Sequence, residues 1–167
     1  MKVFGIVGSS GSGKTTLLKR LIPELAGRGV RLATVKHSHH GAMVDGPGDP
    51  GFDARAAGAV ASLIASPSRW VKVEGRAEDD EPALGDILAR LSPADLVLIE
   101  GFKRYPHAKL EVYRPDHGRE PIWPQDPSVA AVASDAKNLP DLGARPLFSL
   151  EDISSIATFL MTHSESQ

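Results

Sequence analysis

Val3-Phe4-Gly5-Ile6-Val7-Gly8-Ser9-Ser10-Gly11-Ser12-Gly13-Lys14-Thr15-Thr16 is the stretch that decides how this chain folds. Its first five residues run without polar alternation and end at a glycine. That pattern fits a strand buried on both faces, as parallel sheets require. Past the glycines, Leu17, Leu18, Leu21, Ile22 and Leu25 fall on one helical stripe, with Lys19, Arg20, Glu24 and Arg28 mostly off it. Between strand and helix, Gly8, Gly13, Lys14 and Thr15 occupy every fixed position of the spacing G-x-x-x-x-G-K-[ST]. Glycines let the backbone curl so that successive N–H groups point inward at phosphate oxygens. The helix that starts here adds unpaired N–H groups and the positive end of its dipole. Lys14 supplies a point charge near the β- and γ-phosphates, and the Thr15 hydroxyl is a hard oxygen ligand suited to Mg²⁺. Ser9, Ser10, Gly11, Ser12, Gly13, Lys14, Thr15 and Thr16 are therefore expected to hold a nucleoside triphosphate.

Working outward, strand-like and helical stretches alternate. Strands are expected at 31–36, 61–65, 69–74, 96–99, 109–113 and 129–133, and helices at 82–91 and near the C-terminus. Ser66-Pro67-Ser68 reads as a turn, and Gly27 and Gly29 as helix stops. Ser149 stands three residues before Asp152, a capping-box spacing ahead of Ile153, Ile156, Ala157 and Leu160. The alternation predicts one α/β domain over 1–167, with a mainly parallel central sheet. Residues 37–51, with four glycines and two prolines, and 105–127, with five prolines, read as long functional loops.

Composition narrows the function classes. A net charge of −2 without a like-charge block argues against nucleic acid as partner, since phosphate-backbone binding shows a basic face. The absence of cysteine excludes disulfides, cysteine zinc sites and thiol catalysis. No apolar run approaches the ~20 residues of a membrane helix, and the N-terminus is too short for a signal sequence, so a cytoplasmic protein is expected.

Magnesium beside a P-loop usually takes an acid from a neighbouring strand. Ala94-Asp95-Leu96-Val97-Leu98-Ile99-Glu100-Gly101 offers one carboxylate at each end. Five residues at ~3.3 Å separate them by roughly 16 Å, so only one reaches the site. Ligands of open α/β sheets lie beyond the carboxyl ends of the strands, which selects Glu100 over Asp95. Lys36-His37-Ser38-His39-His40 closes the second strand on the same side. His37 and His39 could share a face for zinc, but further ligands would have to come from distant loops. A second anionic group meeting Lys36, His37 and His39, or a solvated polar loop, are the other readings. Asp45, Asp49, Asp53 and Arg55 follow in the same loop, where any could orient water or bind the metal's outer shell; Asp45 and Arg55 join Lys36, His37 and His39 as candidates for a second-ligand or partner site.

These pieces together resemble the MobB family, the GTP-binding adapters of molybdopterin-guanine dinucleotide biosynthesis. The likeness rests on the early P-loop, Lys36-His37-Ser38-His39-His40, Asp45 with Pro47-Gly48, and Arg55 with Ala57-Gly58-Ala59. Glu100-Gly101-Phe102-Lys103 and Ala131-Val132-Ala133-Ser134-Asp135 complete it, in family order. Gly48-Asp49-Pro50-Gly51 departs from the family's Lys-Asp-Ser/Thr after the Pro-Gly pair. The resemblance implies a P-loop NTPase fold with three α/β/α layers. It also implies GTP binding with Mg²⁺, weak hydrolysis and a homodimer. Its implied partners are the GMP-attaching nucleotidyltransferase (the molybdenum cofactor guanylyltransferase) and molybdopterin or a molybdoenzyme. A small phosphotransferase, a nucleoside or metabolite kinase, shares size and P-loop, but Arg104, Arg114 and Arg119 do not form the dense cluster of a kinase lid. The Asn-Lys-x-Asp guanine signature is absent. Asp135 is the candidate in its place, because a carboxylate accepts from guanine N1 and N2 in a pattern adenine lacks.

Overall fold

The computed structural model describes residues 1–37, 44–75, 82–163 and 165–166, in two compact units, one of residues 1–37 and 84–167 and one of residues 38–83. In the first unit, β1 (Lys2–Val7), β2 (Leu32–Lys36), β5 (Leu96–Glu100), β6 (Lys109–Tyr113), β7 (Val129–Ser134) and β8 (Leu147–Ser149) form one sheet in the order β2-β5-β1-β6-β7-β8. All five pairings between these strands are parallel. The two-residue β9 (Glu165–Ser166) pairs antiparallel with the start of β1.

Alternation along the central strands sorts side chains into two cores. Phe4, Ile6, Leu96 and Leu98 face α1 (Lys14–Gly27) and α4 (Ile153–His163) on one side. Val3, Val97 and Ile99 pack with Val35, Phe102 and, from α3 (Leu84–Leu88), Leu84 and Leu88 on the other. That is the three-layer α/β/α arrangement expected, with β1 and β5 apolar on both faces because helices cover both. Of the stripe expected on α1, Leu17, Leu18, Leu21 and Leu25 are buried, and Ile22 is partly so. Gly27 is still helical. The stop is Gly29, left-handed at φ 82°, which lets the Val30 N–H reach back to the Leu25 carbonyl at 3.2 Å.

Three local expectations need correction. The capping residue of α4 is Asp152, whose Oδ1 accepts the Ser155 N–H at 3.1 Å; Ser149 instead accepts the N–H of Glu151. The cap thus sits three residues later than the Ser149–Asp152 spacing suggests, because an Asp can serve as either end of that pattern. The helix expected over 82–91 is confined to Leu84–Leu88. Strand β8 has no counterpart among the expected strands: at three residues it is too short to show a period.

The proline-rich stretch 105–127 holds, besides the whole of β6, only a single 3₁₀ turn at Pro115–His117. Buried polar groups pin it. Glu111 on β6, 1% exposed, accepts the backbone N–H groups of Ile122 and Trp123, and Lys109, also 1% exposed, pairs with Asp126 at 2.9 Å. A loop this short of its own backbone bonds needs such anchors to keep buried groups satisfied.

The second unit is built on a hairpin of β3 (Ala61–Ser66) and β4 (Arg69–Glu74), registered from Ala61↔Glu74 to Ser66↔Arg69 around Pro67-Ser68. Short helix α2 (Pro50–Ala56) lies within a segment read in part as loop from sequence; Pro50 opens it at N1, where proline's missing N–H costs nothing. No helix among the described residues is long and apolar enough to cross a membrane.

Candidate functional site

The P-loop emerges from the carboxyl end of β1 and is shaped by close packing on β6. A Cβ at Gly8, φ 142°, would lie 2.3 Å from the Val112 carbonyl oxygen, so only glycine lets the loop leave the sheet here. Ser12 is fully buried beneath the turn. Gly13, φ 102°, occupies the N-cap of α1, and the Leu17 N–H bonds its carbonyl at 2.8 Å. The Lys14 ammonium folds back across the loop and donates to the carbonyls of Ser9 at 2.7 Å and Gly8 at 3.1 Å. It thereby stands inside the ring of backbone that the spacing predicts. Ser10, Gly11 and Thr16 are exposed.

Glu100 ends β5, directly beside β1 in the sheet, with Ile6↔Glu100 in register on one side and Lys36↔Glu100 on the other. Its carboxylate accepts the Thr15 hydroxyl at 3.1 and 3.2 Å and lies 3.7 Å from the Lys36 ammonium. The acid chosen for its end of the strand therefore meets the P-loop threonine across 85 residues of sequence. Asp95, at the other end, is held by Arg31 through its guanidinium at 2.7 Å and its backbone N–H at 2.9 Å. Burial lowers the Lys14 pKa; Glu100 opposes that, while Lys103 and Lys36 add to it. Lys14 and Lys36 thus both lie within the field of Glu100, and Lys103 and Lys36 add positive charge around Lys14, a field that suits a polyanion.

After Glu100 the chain turns sharply. Gly101 sits at φ 104° and Phe102, a non-glycine, at φ 49°. Left-handed backbone at a bulky residue is strained and persists where packing enforces it. Here Phe102 is 3% exposed and its ring lies 4.4 Å from that of His37 and 5.3 Å from that of Tyr105. A Cβ at Gly101 would come within 2.9 Å of the His37 Cβ, so Glu-Gly-Phe is the local solution that seats His37. The His37 N–H also donates to the Glu100 carbonyl at 2.9 Å. His39 lies outside the described residues. Asp45 and Arg55 belong to the second unit and pair with each other, the Arg55 Nη2 reaching both carboxylate oxygens at 2.7 and 2.8 Å, while its Nη1 donates to the Gly51 carbonyl and the Ser62 hydroxyl. That fastens the 45–51 segment to α2 and β3.

Asp135 follows β7, two strands from β1. It pairs with Arg114 at 2.5 Å, and the same guanidinium donates to the Ser12 carbonyl at 3.1 Å. Sequence reasoning passes over Arg114 and Lys103. Lys103 carries a signal, the Glu-Gly-Phe-Lys string. Arg114 carries none beyond being one of three arginines near the prolines, since its importance comes from the pairing of β6 with β1.

An α/β/α fold with this loop, lysine and strand-end acid is the arrangement of the P-loop class of proteins. Residues 3–135 match the family described as Molybdopterin guanine dinucleotide synthesis protein B, MobB, and the chain belongs to it. It is 38% identical to the molybdopterin-guanine dinucleotide biosynthesis adapter protein of Escherichia coli K12, over 95% of this chain and 90% of that one. Identity is also 38% to the adapter of Haemophilus influenzae, over 95% and 86% of the two chains. Among solved structures, the MobB homolog from Bacillus stearothermophilus superposes with a TM-score of 0.70 at 29% identity, covering 97% of each chain. The expectations of family and fold are thus met.

Proposed function

We propose that this adapter of molybdopterin-guanine dinucleotide biosynthesis works by binding GTP with Mg²⁺ in its P-loop, hydrolysing it slowly, and acting with the nucleotidyltransferase that attaches GMP to molybdopterin. The observation that carries the reading is the Thr15–Glu100 contact beside Lys14. A hydroxyl and a carboxylate are hard oxygen donors, and two such groups beside a phosphate loop suit Mg²⁺, which keeps most of its water and takes few protein ligands. When bound, the ion would be held by Thr15 and Glu100 and would neutralise phosphate charge. The P-loop N–H groups and Lys14 hold the phosphates, Lys36 and Lys103 add positive field, and Asp135 reads the base.

Glu100→Gln keeps the shape of the side chain and loses its charge. Nucleotide binding should weaken less than its magnesium dependence, with the magnesium titration shifted upward by about tenfold, the scale of one charge-assisted bond. Superimposable magnesium curves for variant and wild type would remove Glu100 from the site.

The chain is further read as a cytoplasmic homodimer and a poor catalyst alone. Leu63, Ile64, Trp70 and Val71 are 59%, 56%, 67% and 46% exposed on a two-stranded hairpin. Large apolar side chains so exposed on a small unit support a second copy as their cover. A lone P-loop domain leaves the γ-phosphate side open to water, so turnover well below ~1 s⁻¹ is expected. Light scattering should give a dimer. Phosphate release should rise, if at all, only with the nucleotidyltransferase or a molybdopterin-bearing enzyme present. A monomer releasing tens of phosphates per second, or passing phosphate to a metabolite, would favour a kinase.

A further inference from the structure

Strands β1, β6 and β7 lie side by side and parallel, so the P-loop, Arg114 and Asp135 leave the same edge of the sheet in that order. Two strand spacings, about 10 Å, separate the first from the last. That is the scale on which a ribose separates the phosphates of a nucleotide from its base. Arg114 stands in the gap. Pro115 biases the residue before it to extended backbone, and Arg114 is found there at φ −130°, ψ 113°. Tyr113 and Ser134 are register partners, so Arg114 and Asp135 are the first residues beyond a matched pair of strand ends. From this position the guanidinium lies against the loop: a Cβ at Gly13 would be 3.7 Å from its Nη2.

The two polar contacts of Arg114 have different destinations. Its Nε donates to the Ser12 carbonyl, inside the phosphate loop, and its Nη1 to the Asp135 carboxylate. The side chains of Arg114 and Asp135 are 36% and 44% exposed, and an ion pair so open to water adds little to stability. What it does supply is orientation. A carboxylate on a single strand-end residue can rotate, whereas recognition of guanine N1–H and N2–H needs both oxygens in one plane. The carboxylate has about four acceptor positions, so an arginine on one oxygen leaves room for the base. The planar guanidinium fork is a rigid donor for that purpose, and the bond to Ser12 fixes the fork in turn.

We infer that Arg114 is the positioning residue for base selection: it aims Asp135 at the base and ties that aim to the conformation of the phosphate loop. This rests on the reading of Asp135 as the guanine acceptor. The ligand class is accordingly a purine nucleoside triphosphate carrying a 2-amino group. Inosine triphosphate, which lacks only that group, is the discriminating probe.

Calorimetric dissociation constants for GTP and inosine triphosphate, with magnesium, test the inference in wild type, Arg114→Ala and Asp135→Asn. Wild type should favour GTP by about tenfold or more, the value of a hydrogen bond to a charged acceptor. Arg114→Ala and Asp135→Asn should each bring the two nucleotides close to parity, although Arg114 itself does not contact the base. Should the alanine variant fail to fold, Arg114→Lys carries the same test. It keeps the charge but not the fork, and its preference for GTP should still fall. A preference unchanged in the Arg114 variants, but lost in Asp135→Asn, overturns the positioning role and leaves the base reading intact. Wild type without preference, or Asp135→Asn retaining it, overturns both.

Discussion

Lys14→Ala should lose most of the affinity for triphosphate while the fold survives. Truncating one partner of a desolvated charge pair costs about 2–5 kcal/mol, roughly thirtyfold to several thousandfold in Kd. Here the ammonium already lies across the loop, donating to the carbonyls of Gly8 and Ser9, so it needs no rearrangement to meet a phosphate placed in the ring. Burial lowers its pKa, so part of the solvation of the ammonium is given up before any ligand arrives. A desolvated cation gains more from an anion than a solvated one does. The fold should be little affected, because the two carbonyls belong to a loop open to water, while the apolar core under α1 is untouched. Thermal melts would show a similar midpoint for the variant, and calorimetry would show the loss. Wild-type GTP affinity in Lys14→Ala would remove the P-loop from the account.

A second large effect concerns stability and acid. His107 is 3% exposed, and neither ring nitrogen has a hydrogen-bond partner among the described residues. Its ring fills the space that Gly5 leaves open: a Cβ there would lie 2.5 Å from Nε2. Burial, reinforced by the charge of Lys109 and only partly offset by Asp126, pushes its pKa from 6.5 down to about 4. The folded state therefore resists a proton that the unfolded state accepts. The stability linked to this histidine is fully present above pH 6.5 and is lost as pH falls toward 4. The loss is on the order of 3 kcal/mol, because each tenfold difference in proton affinity between the folded and unfolded states is worth about 1.4 kcal/mol. Denaturant melts at about pH 7.5 and about pH 4.5 should show wild type losing markedly more than His107→Leu over that interval. Equal losses would mean that His107 charges freely in the native state.

The parts of the site that can be read from sequence are those whose signal is local. Gly8 to Thr15 carry a fixed spacing between a buried strand and an amphipathic helix, and nothing more than strand length and sheet direction separates Glu100 from Asp95. The meeting of Thr15 and Glu100 at 3.1 Å follows from β5 lying next to β1. The features that escape are those that depend on which strands become neighbours. Arg114 is one arginine among prolines until β6 is set beside β1, and only then does it face Ser12. Asp45 and Arg55 stand in the sequence as candidate contacts for a second ligand; their mutual ion pair holds the chain locally, a role that a sequence cannot distinguish from a binding one. The glycines and prolines around it hide the helix Pro50–Ala56, although Pro50 is itself a helix-start signal. Asp152 reads as the third residue of a cap rather than the cap, because both positions accept an acid.

If Arg114 aims Asp135 at guanine, this P-loop must discriminate among bases. Competition between GTP and ATP for the wild-type chain, in the presence of magnesium, tests it most directly. Binding of GTP that ATP displaces only at about tenfold or greater excess is the expected result, since adenine offers no N1–H and N2–H pair to a carboxylate. Equal displacement by the two nucleotides, or no binding of either, would contradict the account.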